Sequence, residues 1–100
     1  MLVAGWMYLL RPVRPGLADA PTDGERAVLG AHFDYLEGLR DAGRLIVAGP
    51  SVVEGDTFGL VVLEYEHEAE ALAAMEGDPA VAGGVMTAQL RPLRLSVVRS

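Results

Sequence analysis

Apolar side chains in this chain recur at every second residue in some segments and at every third or fourth in others. The order in which the two spacings follow one another leaves few folds open. Residues 3–10, VAGWMYLL, are apolar on both alternating sides, with Val3, Met7 and Leu9 on one and Ala4, Trp6, Tyr8 and Leu10 on the other. The period then becomes helical: Val28, His32, Tyr35 and Leu39 fall in a narrow arc, flanked by Ala31 and Leu36. RLIVAGP and TFGLVVLEYE read as a second and third strand joined by a turn around VVEGD. The third sets Phe58, Leu60 and Val62 against Val61, Leu63 and Tyr65. From Glu66 the pattern is helical again, with Ala69, Leu72 and Met75 as its stripe, until Gly77. DPAVAGG allows one further helical turn, since Pro79 suits a first helical position. A last strand follows from about Val85 to Val98, with Pro92 at a bulge or an edge. The order is β-α-β-β-α-β, which predicts an α+β, ferredoxin-like fold with two helices on one face of a four-stranded antiparallel sheet.

Local signals sharpen the boundaries. Thr22 stands three residues before Glu25, the spacing of a capping box, so the first helix is expected over about Gly24–Ala42, with Gly43 placed to end it. Between strand and helix, RPVRPGLADAPTDG gathers Pro, Gly and Asp without periodicity. This long loop is expected to have no core of its own, to be mobile and to form a wall or lid of a pocket. Strands that are apolar on both faces would leave the sheet side without helices as an exposed patch larger than a soluble monomer usually tolerates, which predicts a homodimer through that face.

A chain of 100 residues with 51% hydrophobic residues fits one domain, taken as residues 1–100, with a real core. The net charge of −6 and the lack of a dense Arg cluster argue against nucleic acid and anionic membranes as partners. There is no Cys, which removes disulfides and thiolate chemistry, and every basic side chain is Arg, which removes Schiff-base chemistry. With only two His in the chain, a three-His metal site is excluded, and no Gly-rich phosphate loop or ligand cluster implies a cofactor or metal. The opening MLVAGWMYLL lacks a basic leader and is far short of the ~20 residues that span a bilayer. It reads as a strand, and the expected compartment is the cytoplasm.

His32 sits where the core should be, and neither Asp34 nor Asp41 can reach it from the same helix. A partner must come from another element. Asp78 is a candidate, because it follows the second helix and the two helices of this fold lie side by side; it is equally a turn former or helix cap before Pro79. In AGPS, Gly49 would allow close backbone approach and Ser51 would supply a hydroxyl, although a plain turn explains the stretch equally well. His67, within EYEHEAEA, reads as a hydrated surface histidine.

His32, then GRLIVAGP from Gly43, a strand, an acidic helix, DPAVAGGV and a final strand carrying RPL together resemble the YCII-related (YciI-like) family, from His32 to the C-terminus. The resemblance implies small dimeric proteins of ferredoxin-like fold, a dimeric α/β-barrel type of assembly, with a His–Asp pair in a pocket. That pair corresponds to His32 and Asp78 here. One member type is a dehydrochlorinase acting on a chlorinated hydroxyhydroquinone, and lactone isomerases of aromatic breakdown share the related dimeric fold. The resemblance therefore implies a cofactor-independent lyase, isomerase or hydrolase acting on a small cyclic or aromatic-derived molecule. His32 would be the general acid or base, Asp78 would fix its tautomer, and Ser51 with the Gly49 backbone would orient the substrate. The rival reading is a non-catalytic small-molecule binding or accessory module, and a third is a purely structural dimer.

Overall fold

The computed structural model describes residues 3–53 and 56–99. Its elements are β1 (Val3–Pro12), α1 (Asp23–Asp41), β2 (Leu45–Pro50), β3 (Gly59–Glu64), α2 (Glu68–Glu76), α3 (Pro79–Ala82) and β4 (Met86–Leu95). The four strands form one antiparallel sheet in the order β2-β3-β1-β4, the ferredoxin-like order, with β1 and β3 central. Part of the turn read over VVEGD, Glu54 and Gly55, lies outside the described residues.

Register decides what each strand faces. Tyr8 pairs with Val61 and Trp6 with Leu63, and these side chains meet the helices together with Leu10. Tyr8, Leu10, Val61 and Leu63 are buried against Leu36 of α1 and Ala74 and Met75 of α2. On the opposite face the pairs are Met7 with Val62 and Leu9 with Leu60, and no element covers them among the described residues. Pro92 lies on β4, an edge strand, the place in a sheet where a missing backbone N–H is tolerated. The other edge, β2, shifts register between Leu45 and Val47, so that Ile46 is inserted as a bulge.

Helix α1 begins on the capping box: Thr22 accepts from the Glu25 N–H at 3.1 Å, and Glu25 accepts from the Thr22 N–H at 2.8 Å. It ends in a Schellman motif, with the Gly43 N–H bonded to Arg40 O at 3.0 Å and the Arg44 N–H to Leu39 O at 2.9 Å. Gly43 takes a φ of +76°, the left-handed conformation that only glycine adopts at little cost.

Helix α2 buries a different face from the expected one. Ala71, Ala74 and Met75 point into the core, while Ala69 is exposed and Leu72 remains 39% exposed. The reason is size: with alanine at positions 69, 71, 73 and 74 the helix has no bulky stripe of its own. The face of small side chains lets its backbone approach the sheet most closely. The helical turn expected at DPAVAGG is present as α3, so three helical segments rather than two cover the sheet.

The loop from Val13 to Thr22 also differs from the expectation of a segment without a core. Leu17 is 1% exposed, and Arg14 bridges to both Glu25 oxygens, at 3.0 and 2.6 Å, and to Ala20 O at 2.9 Å. Two backbone hydrogen bonds, from Leu17 to Arg14 and from Ala20 to Gly16, close it into successive turns. One leucine and one ion pair thus anchor a stretch whose Pro and Gly content alone suggests looseness.

Candidate active site

Helix α1 presents His32 inward beside Leu36, one turn further on, and the residue is 6% exposed. Asp78 arrives from the break between α2 and α3: Gly77 caps α2, Asp78 is the N-cap of α3 and Pro79 opens that helix. It is fully buried. Its Oδ1 accepts from the Ala80 N–H at 3.0 Å and lies 2.7 Å from His32 Nδ1, while Oδ2 accepts from the Tyr8 hydroxyl at 2.8 Å. Helix capping and partnering of the histidine are therefore not alternatives for Asp78. The same oxygen does both.

The protonation pattern follows from this geometry. The carboxylate already accepts from Tyr8 and Ala80, so in the pair with His32 it is again the acceptor and Nδ1 carries the hydrogen. The lone pair of a neutral ring then resides on Nε2. No buried side-chain nitrogen or oxygen lacks a partner among the described residues, and Nε2 makes no hydrogen bond there, so it opens onto accessible space. Burial, and then the charge of Asp78, push the Tyr8 phenol far above its usual range, which keeps it a hydrogen-bond donor at any ordinary pH. Tyr35 is also raised by burial, and its hydroxyl donates to Ala74 O at 2.7 Å, tying α1 to α2 beside the site.

The space beside His32 is a cavity of about 610 Å³ between α1, the β2–β3 side of the sheet and the 13–22 loop. Leu10, Leu17, Leu36 and Val61 form its floor, and Phe33 and Phe58 stand on its walls. Neither Asp78 nor Tyr8 lines it. The site is layered: an accessible imidazole in front, a buried carboxylate behind, and a phenol behind that.

Of the other residues singled out in the sequence, Gly49 lines the cavity, and apart from its own chain neighbours no atom of the described residues lies within 4 Å of where a Cβ would stand there. Ser51 is not on the wall. Its hydroxyl donates to Asp56 O at 2.9 Å and accepts from the Phe58 N–H at 3.1 Å, so it holds the connection that places Phe58. His67 is exposed, with a loose 3.9 Å approach to Glu66. Among the described residues no three His, Cys, Asp or Glu side chains stand together as a metal site, and no helix is long and apolar enough to cross a membrane.

Tyr8 does not stand out in the sequence, because a tyrosine in an apolar strand fits the hydrophobic pattern. The available signal was its hydroxyl: on the helix-facing side of a central strand it needs a buried acceptor. Arg40 and Glu37, also on the wall, were hidden because charged residues on an amphipathic helix read as its solvent face.

Fold and site together define an α+β protein with a sheet of ferredoxin-like order and a His–Asp pair buried behind an apolar cavity. The model of the YCII-related domain matches residues 6–93, and the chain belongs to that family. No curated protein matches it. Among solved structures it is similar to the 5-chloro-2-hydroxyhydroquinone dehydrochlorinase TftG of Burkholderia phenoliruptrix AC1100, in complex with 2,5-dihydroxybenzoquinone. That likeness has a TM-score of 0.64 and 23% identity, and covers 86% of this chain and 90% of the other. It is also similar to the NE2512 protein of unknown function from Nitrosomonas europaea, with a TM-score of 0.53, 15% identity, and coverage of 98% and 94%. At such identities these likenesses speak for the fold.

Proposed function

We propose that the protein is a cofactor-independent acid/base enzyme, of the lyase, isomerase or hydrolase kind, acting on a small cyclic or aromatic-derived molecule held in the cavity. The observation that carries this reading is the placing of His32: Nδ1 is held by a fully buried carboxylate, and the residue lines an apolar cavity, so that Nε2 is the ring nitrogen left to meet a guest. A histidine placed only for packing has no need of a space beside it. Nε2 takes a proton from the bound molecule, Asp78 stabilises the imidazolium that forms, and the same proton returns to product or departs with a leaving group. Dehydrochlorination, the activity TftG is named for, is one reaction that a single base serves, since a proton goes to the base and chloride leaves. Gly49 supplies open backbone along the wall, and Ser51 acts through the placement of Phe58.

A second reading, a non-catalytic binding module, draws on one observation: apart from His32, the wall carries few polar side chains to stabilise developing charge. The test is mass spectrometry of the natively purified protein for a co-purified small molecule, followed by turnover of that molecule. His32→Ala should lower turnover by about 10²–10⁴-fold with the circular dichroism spectrum unchanged, and Asp78→Asn should lower it too. A wild-type protein that returns the bound molecule unaltered supports the binding reading instead.

We further infer a homodimer in which the faces built on Met7, Leu9, Leu60 and Val62 cover one another. The support is physical: these are neighbouring apolar side chains, Met7, Leu9 and Leu60 only partly buried, on a sheet face that no helix of the chain covers among the described residues.

A further inference from the structure

We propose that the cavity takes a planar ring bearing an anionic oxygen group, with Arg40 as the residue that selects for the charge. The proposal rests on the reading of this cavity as the substrate site and adds the chemical class of what it holds. The chain contains two phenylalanines, and both line the cavity. Phe33 stands on α1 with its ring centroid 5.3 Å from that of His32 and is 56% exposed, so its ring is open to a guest. Phe58 comes from the far side, before β3, with the Arg11 guanidinium 5.4 Å from its ring centre. Two aromatic walls beside one imidazole suit a flat guest that stacks or meets their edges.

The charged side chains of the wall are Glu37 and Arg40, both on α1. Arg40 lies two turns beyond His32, a rise of about 12 Å at 1.5 Å per residue. Both residues line the same cavity, and the long Arg40 side chain, freed from Asp41, can lean toward the N-terminus of the helix and so shorten that gap. Its partnering is weak: Nε makes one 3.3 Å contact with the adjacent Asp41, both side chains are largely exposed, and the two Nη nitrogens have no partner among the described residues. Glu37, one turn earlier, makes no ion pair with it. The pair of Nη donors is thus available for bidentate binding of a carboxylate or phenolate while the ring lies between the phenylalanines and its edge meets Nε2.

Binding of benzoate, benzamide and cyclohexanecarboxylate, followed by amide chemical shifts at pH 8 where an ordinary imidazole is neutral, tests this without knowledge of the natural substrate. Wild type should bind benzoate about tenfold more tightly than benzamide, and Arg40→Gln should remove that preference. Glu37→Gln should tighten benzoate by removing a like charge. Phe33→Leu should weaken benzoate more than cyclohexanecarboxylate. His32→Ala should keep the preference for charge, which separates this inference from the catalytic role of His32, tested by turnover alone. Equal binding of benzoate and benzamide, binding of neither, or a preference that survives Arg40→Gln would overturn it.

Discussion

Tyr8→Phe deletes one donor to Asp78 Oδ2 and leaves the ring that fills the core, so it isolates the value of the rear hydrogen bond. A buried carboxylate oxygen left without a partner costs about 1–3 kcal/mol, which urea denaturation should register as a lower midpoint at unchanged slope. The contact between His32 Nδ1 and Oδ1 is separate, so nitrogen NMR should still find the hydrogen of the neutral ring on Nδ1. Glu25 permits a similar separation by pH. The Arg14 hydrogen bonds, and then the Thr22 N–H, hold its carboxyl down at about 2, from an ordinary value of 4.5. A depressed carboxyl stabilises the fold above its unfolded value and loses that contribution as pH falls through the folded one. Glu25→Gln keeps a side chain able to serve the capping box but removes the charge. Its melting temperature should lie below wild type above about pH 4.5, and the two should converge as pH falls toward 2.

The elements differ in how strongly their own sequence specifies them. Helix α1 carries its start in Thr22 and Glu25 and its stop in Gly43, and its observed ends fall within a residue of those expected. Helix α2 has neither a side-chain cap nor a bulky stripe, so the sheet beneath it chose its buried face. The 13–22 loop is held by the Arg14–Glu25 ion pair and by a single buried leucine, Leu17, a residue that no periodicity marks. Leu17→Ala should cost about 2–5 kcal/mol if the loop stays packed. If the segment detaches instead, limited proteolysis should cut between Val13 and Ala20 much faster than in wild type while the remaining core keeps its protection from hydrogen exchange.

On the scale of the molecule, register separates two adjacent residues that look alike in the sequence. Leu63 faces the helices and is fully buried among them, whereas Val62, although only 7% exposed, faces the side of the sheet without helices. Leu63→Asp should prevent folding, because a carboxylate would replace a leucine at the centre of the core. Val62→Asp should leave the monomer folded but unable to dimerise, with light scattering reporting half the mass of wild type at micromolar concentration. A wild-type protein that is monomeric there would refute the homodimer.

Order of elements, helix ends and the isolation of His32 are local properties, and the sequence alone determined them. They depend on the alternation of apolar residues, on the Thr22–Glu25 spacing, on Gly43 and on the lack of a carboxylate within reach along one helix. Asp78 could be named as a candidate partner by topology, but its spacing from Pro79 fits a helix cap just as well. Only the packed structure shows one oxygen serving both the cap and the imidazole. The same holds for Tyr8 behind Asp78, for Leu17 beneath the loop and for Phe33, Phe58 and Arg40 around one cavity. Each lies far in sequence from what it meets. Their convergence depends on how helix α1 stands off the sheet, which arises from the summed packing of the whole chain.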